Sequence, residues 1–453
     1  MPTTIGARIR RGFGGQSLAQ LSVFCFQFAG VPLLLHYWGI QLYGEWLVLF
    51  ALPAWLMLSD LGVTTATTND MTMRVAAGDH ARAKATFQTS WLVLTGTSLL
   101  AALVTFAGAV LLPLASIFGF VILDPMTTLL VLALLLLQSL VSLQANLLAS
   151  GLVSSGAYGE ASAIDGATRL VGFALMAAAV AGGFGPVGAA AALACGSITG
   201  FGVLRWRVRR RSDWFAYGVG AVSMAAGKRL LAPSAGFTGF VLGNALSIQG
   251  PILLIGAVIG PSATATYSTL RMLTRATVTL STMLFATIRP EIAIAHGSGD
   301  IGMVRRLHMR AVQGAVWLVG PAVIALLLAG DPLVRYWTGG KIAVVEPLFW
   351  LLIADMAVYV IANASGTVLY ATNRSHVVAP VFVGAAAVGL GLGAILADSL
   401  GLAGIALGAV AAEVAVAAWV LFRTLPSVGE RFIPFALRVA RPPLDAWRPF
   451  LRR

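Results

Sequence analysis

A run of polar residues, Thr264, Ser268, Arg271, Arg275, Thr279, Thr282 and Arg289, recurs at helical steps through an otherwise apolar stretch. Such steps return to one side of a helix, so the spacing predicts a helix with a single wet face. Arg271 and Arg275 stand one turn apart. Their guanidinium forks suit phosphate oxygens and stay charged at any relevant pH, which points to an anionic ligand. The other reading pairs each arginine with a buried acid such as Asp355 or Glu413. Ligand contact is preferred for Arg271 and Arg275, with Ser268 and Thr279 beside them, and both readings stay open for Arg169.

Ionisable groups at membrane depth cost about 2.5–3.5 kcal/mol each on insertion scales and need an interior reason. Asp60 is followed by Thr64 and Thr67 on its face, and Asp355 by Tyr359 and Asn363. Asp60, Asp355 and Glu413 are the candidates for coupling to a proton or cation, although a structural role, through an Arg partner or a packing hydrogen bond, is the preferred reading of Asp60 and Asp355. Gln16, Gln20 and Gln27 form a neutral polar stripe that reads as glue between helices. Tyr37, Trp38, Tyr43 and Trp46 read as an aromatic interface belt. No phosphate-binding loop or His/Cys metal spacing is present, and His36, His80, His296, His308 and His376 are scattered over loops and span ends. The expectation is a non-enzyme with no catalytic residue, metal or cofactor. Cys25 and Cys195 are expected to be small buried hydrophobes.

The elements that must hold these residues follow from composition. Of 453 residues, 58% are hydrophobic and 10% charged, against about 25% charged in a soluble domain. Uncharged runs such as Gly12 to Gly44, Trp91 to Leu123 and Leu230 to Leu270 match or exceed the ~20 residues that cross a bilayer. They do not alternate as barrel strands would. The expected fold is an all-α integral membrane bundle of twelve spans, near 15–37, 45–68, 88–112, 127–149, 162–182, 187–204, 235–259, 265–289, 311–330, 347–370, 376–397 and 401–422.

Charge sets the orientation. With a cytoplasmic N-terminus, only Arg335 and Lys341 of the 30 Lys and Arg fall outside, while Arg169, Arg271 and Arg275 lie within spans. Both termini are therefore expected in the cytoplasm. The net charge of +13 suits basic loops against an anionic leaflet of membrane lipids, and nucleic-acid binding is not needed to explain it.

The chain also repeats. Gly39 aligns with Gly260, Gly78 with Gly299, Asp79 with Asp300 and Lys84 with Arg305 at one constant separation; Gly185 and Gly188 then align with Gly401 and Gly404. This predicts an N-terminal six-helix lobe over 1–211, a basic cytoplasmic linker over 212–234, a C-terminal six-helix lobe over 235–422, and a basic amphipathic tail over 423–453. The tail suits either the membrane interface or solvent. Even-numbered halves share one orientation, so they would be related by an axis along the membrane normal around a central cavity.

Three stretches carry a resemblance: YGEWLVLFALPAWLMLSDLGVTTATTND from Tyr43, RVAAGDHARAK from Arg74, and YSTLRMLTRATVTLSTMLFATIRPEIAIAHGSGD from Tyr267. On these the chain resembles the oligosaccharide flippases of the multidrug, oligosaccharidyl-lipid and polysaccharide exporter superfamily. The resemblance implies a lipid-linked anionic oligosaccharide of the undecaprenyl diphosphate type, carried to the outer face of a bacterial inner membrane by alternating access. It also implies a basic cavity, which Arg271, Arg275 and Arg169 would supply, and other polysaccharide-assembly proteins as candidate partners. The competing expectations are a cation-coupled multidrug exporter of the same superfamily, whose cavity would show acids, and a non-transport membrane component of polysaccharide assembly.

Overall fold

The computed structural model describes residues 5–212, 214–372, 374, 377–439 and 441; side chains are described from Leu18 onward, except those of residues 231–233, 235–237, 283, 284, 286, 287 and 290. Helices are the regular structure throughout the described residues: α1 Ile5–Ala54, a 3-10 helix Trp55–Asp60, α2 Val63–Ala76, α3 His80–Leu111, α4 Leu114–Ile117, α5 Pro125–Ser154, α6 Tyr158–Ala181, α7 Gly185–Arg211, α8 Met224–Val258, α9 Pro261–Gly297, α10 Ile301–Trp337, α11 Leu348–Ala371, α12 Ala379–Leu400, α13 Leu402–Ser427 and α14 Phe432–Val439. The exterior is apolar, with Leu103, Leu111, Leu328, Val388 and Ile395 all exposed, as expected of helices solvated by lipid.

Ten stretches among the described residues are long and apolar enough to cross a membrane, one of them the 43-residue Leu18–Asp60. That stretch is two crossings. Gly39 adopts φ 72° and ψ −179° inside α1. The rings of Phe26 and Phe50, which flank it at nearly equal distance along the chain, lie 6.5 Å apart, whereas a straight helix would separate them by about 36 Å. Trp38 and Trp46 likewise meet at 5.4 Å. α1 is therefore a helical hairpin folded at Gly39, where a left-handed φ favours a residue without Cβ. α9 is too polar to be counted by composition alone, and with the hairpin counted twice it completes the twelve expected crossings.

The expected span at 45–68 is interrupted. The 3-10 turn at Trp55–Asp60 is followed by Leu61 (φ 47°) and Gly62 (φ 70°), both left-handed, before α2 begins. Thr97 covers one freed carbonyl by donating to Ser59 O at 2.8 Å. Apolar residues on both sides of SDLG mask this break in the sequence.

The internal repeat is visible in the backbone. Gly78 and Gly299 have φ 76° and 77°. Asp79 and Asp300 then cap α3 and α10, accepting from Arg82 N at 3.0 Å and Met303 N at 2.8 Å.

The chain forms two compact units, residues 1–265 and 266–453. In the first, α8 packs on α1, α2 and α3, although its place in the sequence is in the second half. Residues 214–223 are pinned rather than slack. Buried Gln88 donates to Ala216 O (3.0 Å) and accepts from Ala221 N (2.7 Å), and Thr89 accepts from Ser223 N (3.0 Å). Phe215 and Tyr217 pack on Phe87. In the second unit, α12 and α13 approach until backbones touch: a Cβ on Gly408 would lie 2.2 Å from Gly389 O, the close contact small residues allow between membrane helices.

The described part of the tail is docked within the second unit. Phe435 of α14 stacks at 5.2 Å on buried His308, whose Nε2 bonds Ser365 Oγ at 2.9 Å. Glu430 pairs with Arg305 and Arg438. His308 is thus a packed core residue, not a loop histidine. Cys195 is exposed on α7 and Cys25 half-buried, so neither sits in the core.

Candidate functional site

The polar stripe of α9 lies in the second unit from Thr266 onward and runs from buried to exposed along its length. Ser268 and Arg271 are buried, Arg275, Thr279 and Thr282 are half-buried, and Arg289 is exposed. Each arginine has an aromatic backing. Arg271 Cζ lies 5.9 Å from the Tyr267 ring, Arg275 Cζ 5.3 Å from Tyr359, and Arg289 Cζ 5.5 Å from Tyr370. A guanidinium over a desolvated ring gains about 2 kcal/mol, which helps hold a cation at this depth without cancelling its charge.

Tyr359 stands one helical turn beyond Asp355, and Tyr370 three turns further on the same face of α11. Sequence reasoning names Tyr359 only as a neighbour of Asp355 and does not single out Tyr370. The i, i+4 spacing of Tyr267 and Arg271 is the signal that could have found the pattern. The hydroxyls of Tyr267 and Ser268 are buried with no hydrogen-bond partner among the described residues. Thr279 Oγ1, in contrast, donates back to Arg275 O at 3.2 Å, and Thr282 Oγ1 to Thr279 O at 2.8 Å.

Asp355 on α11 and Glu413 on α13 share this interior: both act electrostatically on Arg271 and Arg275, and on each other. With all four groups ionised, the cluster is formally neutral. The two acids weighed as partners for the arginines are thus close enough to act on them.

Arg169 belongs to the first unit. It pairs with Asp165 one turn earlier on α6 at 3.0 Å, with both side chains about half exposed. Asp60 is in the first unit too, at the helix break. Its Oδ1 accepts from Thr64 N (3.0 Å) and Thr64 Oγ1 (2.6 Å), which satisfies an amide in the first turn of α2 and engages that oxygen.

Sequence reasoning missed Glu45. Fully buried, it accepts from Val121 N, Ile122 N and Leu123 N at 2.8–3.0 Å and from Gln41 Nε2 at 3.1 Å. It organises the turn ahead of α5. It also missed a cavity of about 480 Å³ inside the first unit, lined by Ser22, Phe26, Gln27, Gln138, Asn146 and Arg169 among others.

A family model described as polysaccharide biosynthesis protein matches residues 54–345, more than half of the chain. No curated protein matches it in sequence. Among solved structures it is similar to the lipid II flippase MurJ in an inward closed conformation, at 12% identity and a TM-score of 0.73 over 93% of this chain and 90% of that one. It is also similar to an inward-facing multidrug resistance MATE family transporter of the MOP superfamily (15% identity, TM-score 0.66, 93% and 98% covered). A variant of the Vibrio cholerae MATE transporter VcmN aligns at 16% identity and a TM-score of 0.62 over 94% and 98%. At these identities the likeness establishes a shared fold: twelve helices in two lobes.

Proposed function

Since the chain belongs to the polysaccharide biosynthesis protein family, we propose that it flips a lipid-linked anionic oligosaccharide, of the undecaprenyl diphosphate kind, from the cytoplasmic to the outer face of a bacterial inner membrane. The observation that carries this reading is the pair Arg271 and Arg275, one turn apart at membrane depth and each set over a tyrosine ring. Carrying a diphosphate and its sugars through hydrocarbon would strip water from charge and hydroxyls at prohibitive cost. A cationic, hydrated path lowers that barrier while the polyprenyl tail stays in lipid.

The acids give the arginines a resting state. A buried guanidinium cannot be left bare, so Asp355 and Glu413 balance the pair until a diphosphate replaces them. The displaced carboxylates are then the groups that would take up a proton or cation, coupling substrate entry to ion movement. Alternation between inward-open and outward-open states delivers the head group.

The same acids favour a second reading, a cation-coupled multidrug exporter, in which Asp355 and Glu413 hold the drug and the arginines are structural. One experiment separates the two. Flipping of a fluorescent polyprenyl diphosphate oligosaccharide is measured in proteoliposomes for the wild type, Arg271→Ala and Arg275→Ala, with folding checked. Transport by the wild type and its loss in both folded variants is the expected result. Exchange of a cationic dye for sodium or protons, without lipid flipping, would replace the first reading by the second.

A further inference from the structure

The first unit's cavity is chemically unlike the arginine cluster of the second. Its polar lining is amide and hydroxyl: Gln27 from α1, Gln138, Ser142 and Asn146 from α5, and Ser197 from α7, with Phe26, Phe50 and Phe201 presenting rings. The charged residues in its lining, Asp165 and Arg169, are already paired with each other at 3.0 Å. Its volume of about 480 Å³ falls in the 300–1,000 Å³ range of small-molecule sites.

The polar groups are preorganised. Gln138 Nε2 donates to Ser142 Oγ (3.1 Å) and Ser197 Oγ (3.4 Å), and its Oε1 accepts from Ser139 Oγ (3.3 Å). This ties α5 to α7 in the cavity wall. Met57, from the 3-10 turn where the second crossing breaks, also lines it. Irregular backbone at membrane depth is tolerated where it is buried in protein or borders a water-filled space, so the break and the cavity explain each other.

This lining discriminates by chemistry. A phosphate finds one cation, already taken by Asp165; a cationic drug finds one acid, already taken by Arg169. A neutral polyhydroxylated ligand finds amides and hydroxyls that both donate and accept, together with aromatic rings for its apolar faces. We propose that this cavity is a carbohydrate site that receives an uncharged sugar unit of the transported lipid-linked oligosaccharide. The proposal rests on the flippase reading for its ligand, and the test separates the two.

The full chain in nanodiscs carries Ser197→Cys with Cys25 and Cys195 replaced by serine, and maleimide labelling of the introduced thiol is followed. A pool of polyprenyl diphosphates bearing neutral disaccharides should slow labelling about tenfold more than polyprenyl diphosphate without sugar. Adding Asn146→Leu, or Gln27→Met as a second variant, should remove about tenfold of that difference, the effect of one lost hydrogen bond of ordinary strength. Equal protection by both lipids, no protection by either, or protection indifferent to both variants overturns the proposal. Protection is read without transport, so a chain that shows it yet flips no lipid fails as a flippase while keeping its sugar site.

Discussion

Replacing Glu45 by alanine removes the acceptor from Val121 N, Ile122 N and Leu123 N together. Val121 and Ile122 are exposed side chains, so water can reach their amides, and each loses only the net value of an ordinary solvent-accessible hydrogen bond, about 1 kcal/mol. Leu123 is buried, and its N–H keeps the desolvation penalty of about 1–3 kcal/mol. The sum is about 3–5 kcal/mol of local stability. Hydrogen exchange of the full chain in detergent is the direct assay. The amides of residues 121–123 should lose protection by about two to three orders of magnitude, while those in α10–α13 keep theirs. Unchanged exchange at 121–123 in Glu45→Ala would refute the assignment of Glu45 as the anchor of this turn.

Gly408→Leu should prevent α12 and α13 from closing, because its Cβ would meet Gly389 O at 2.2 Å; Gly391→Leu, with nothing near its Cβ site, should be tolerated. Monodispersity in detergent after purification reads the difference. Burial pushes the Tyr217 phenol up to about 12, against the lowering influence of Arg205 and Arg209. The folded protein therefore holds this proton where the unfolded chain releases it, and stability should fall as pH rises from about 10 to about 12. Tyr217→Phe should flatten that fall in a pH series of thermal unfolding, at little cost at neutral pH, since the hydroxyl has no partner among the described residues.

The crossings and the repeated glycine–aspartate turn were legible because each depends on residues close in sequence: a run of apolar side chains, or a left-handed residue followed by a cap. The polar face of α9 was legible for the same reason. What sequence could not supply were pairings made across the fold. Glu45 meets residues 76 to 78 positions away, and read alone it is one acid near a span end. Gln88 looks like any polar residue entering a helix until Ala216 and Ala221 come back to it. Arg169 differs from these: its countercharge Asp165 stands one turn away on its own helix, a spacing open to view in the sequence.

The matched turns at Gly78–Asp79 and Gly299–Asp300 also bear on ancestry. The helices that follow them must above all remain apolar, a demand many sequences meet, so mutation can rewrite much of their length. A turn that needs a left-handed φ and a capping side chain on the next residue accepts few substitutes. If the halves descend from one duplicated segment, the memory of that event survives in the stops between its helices rather than in the helices themselves.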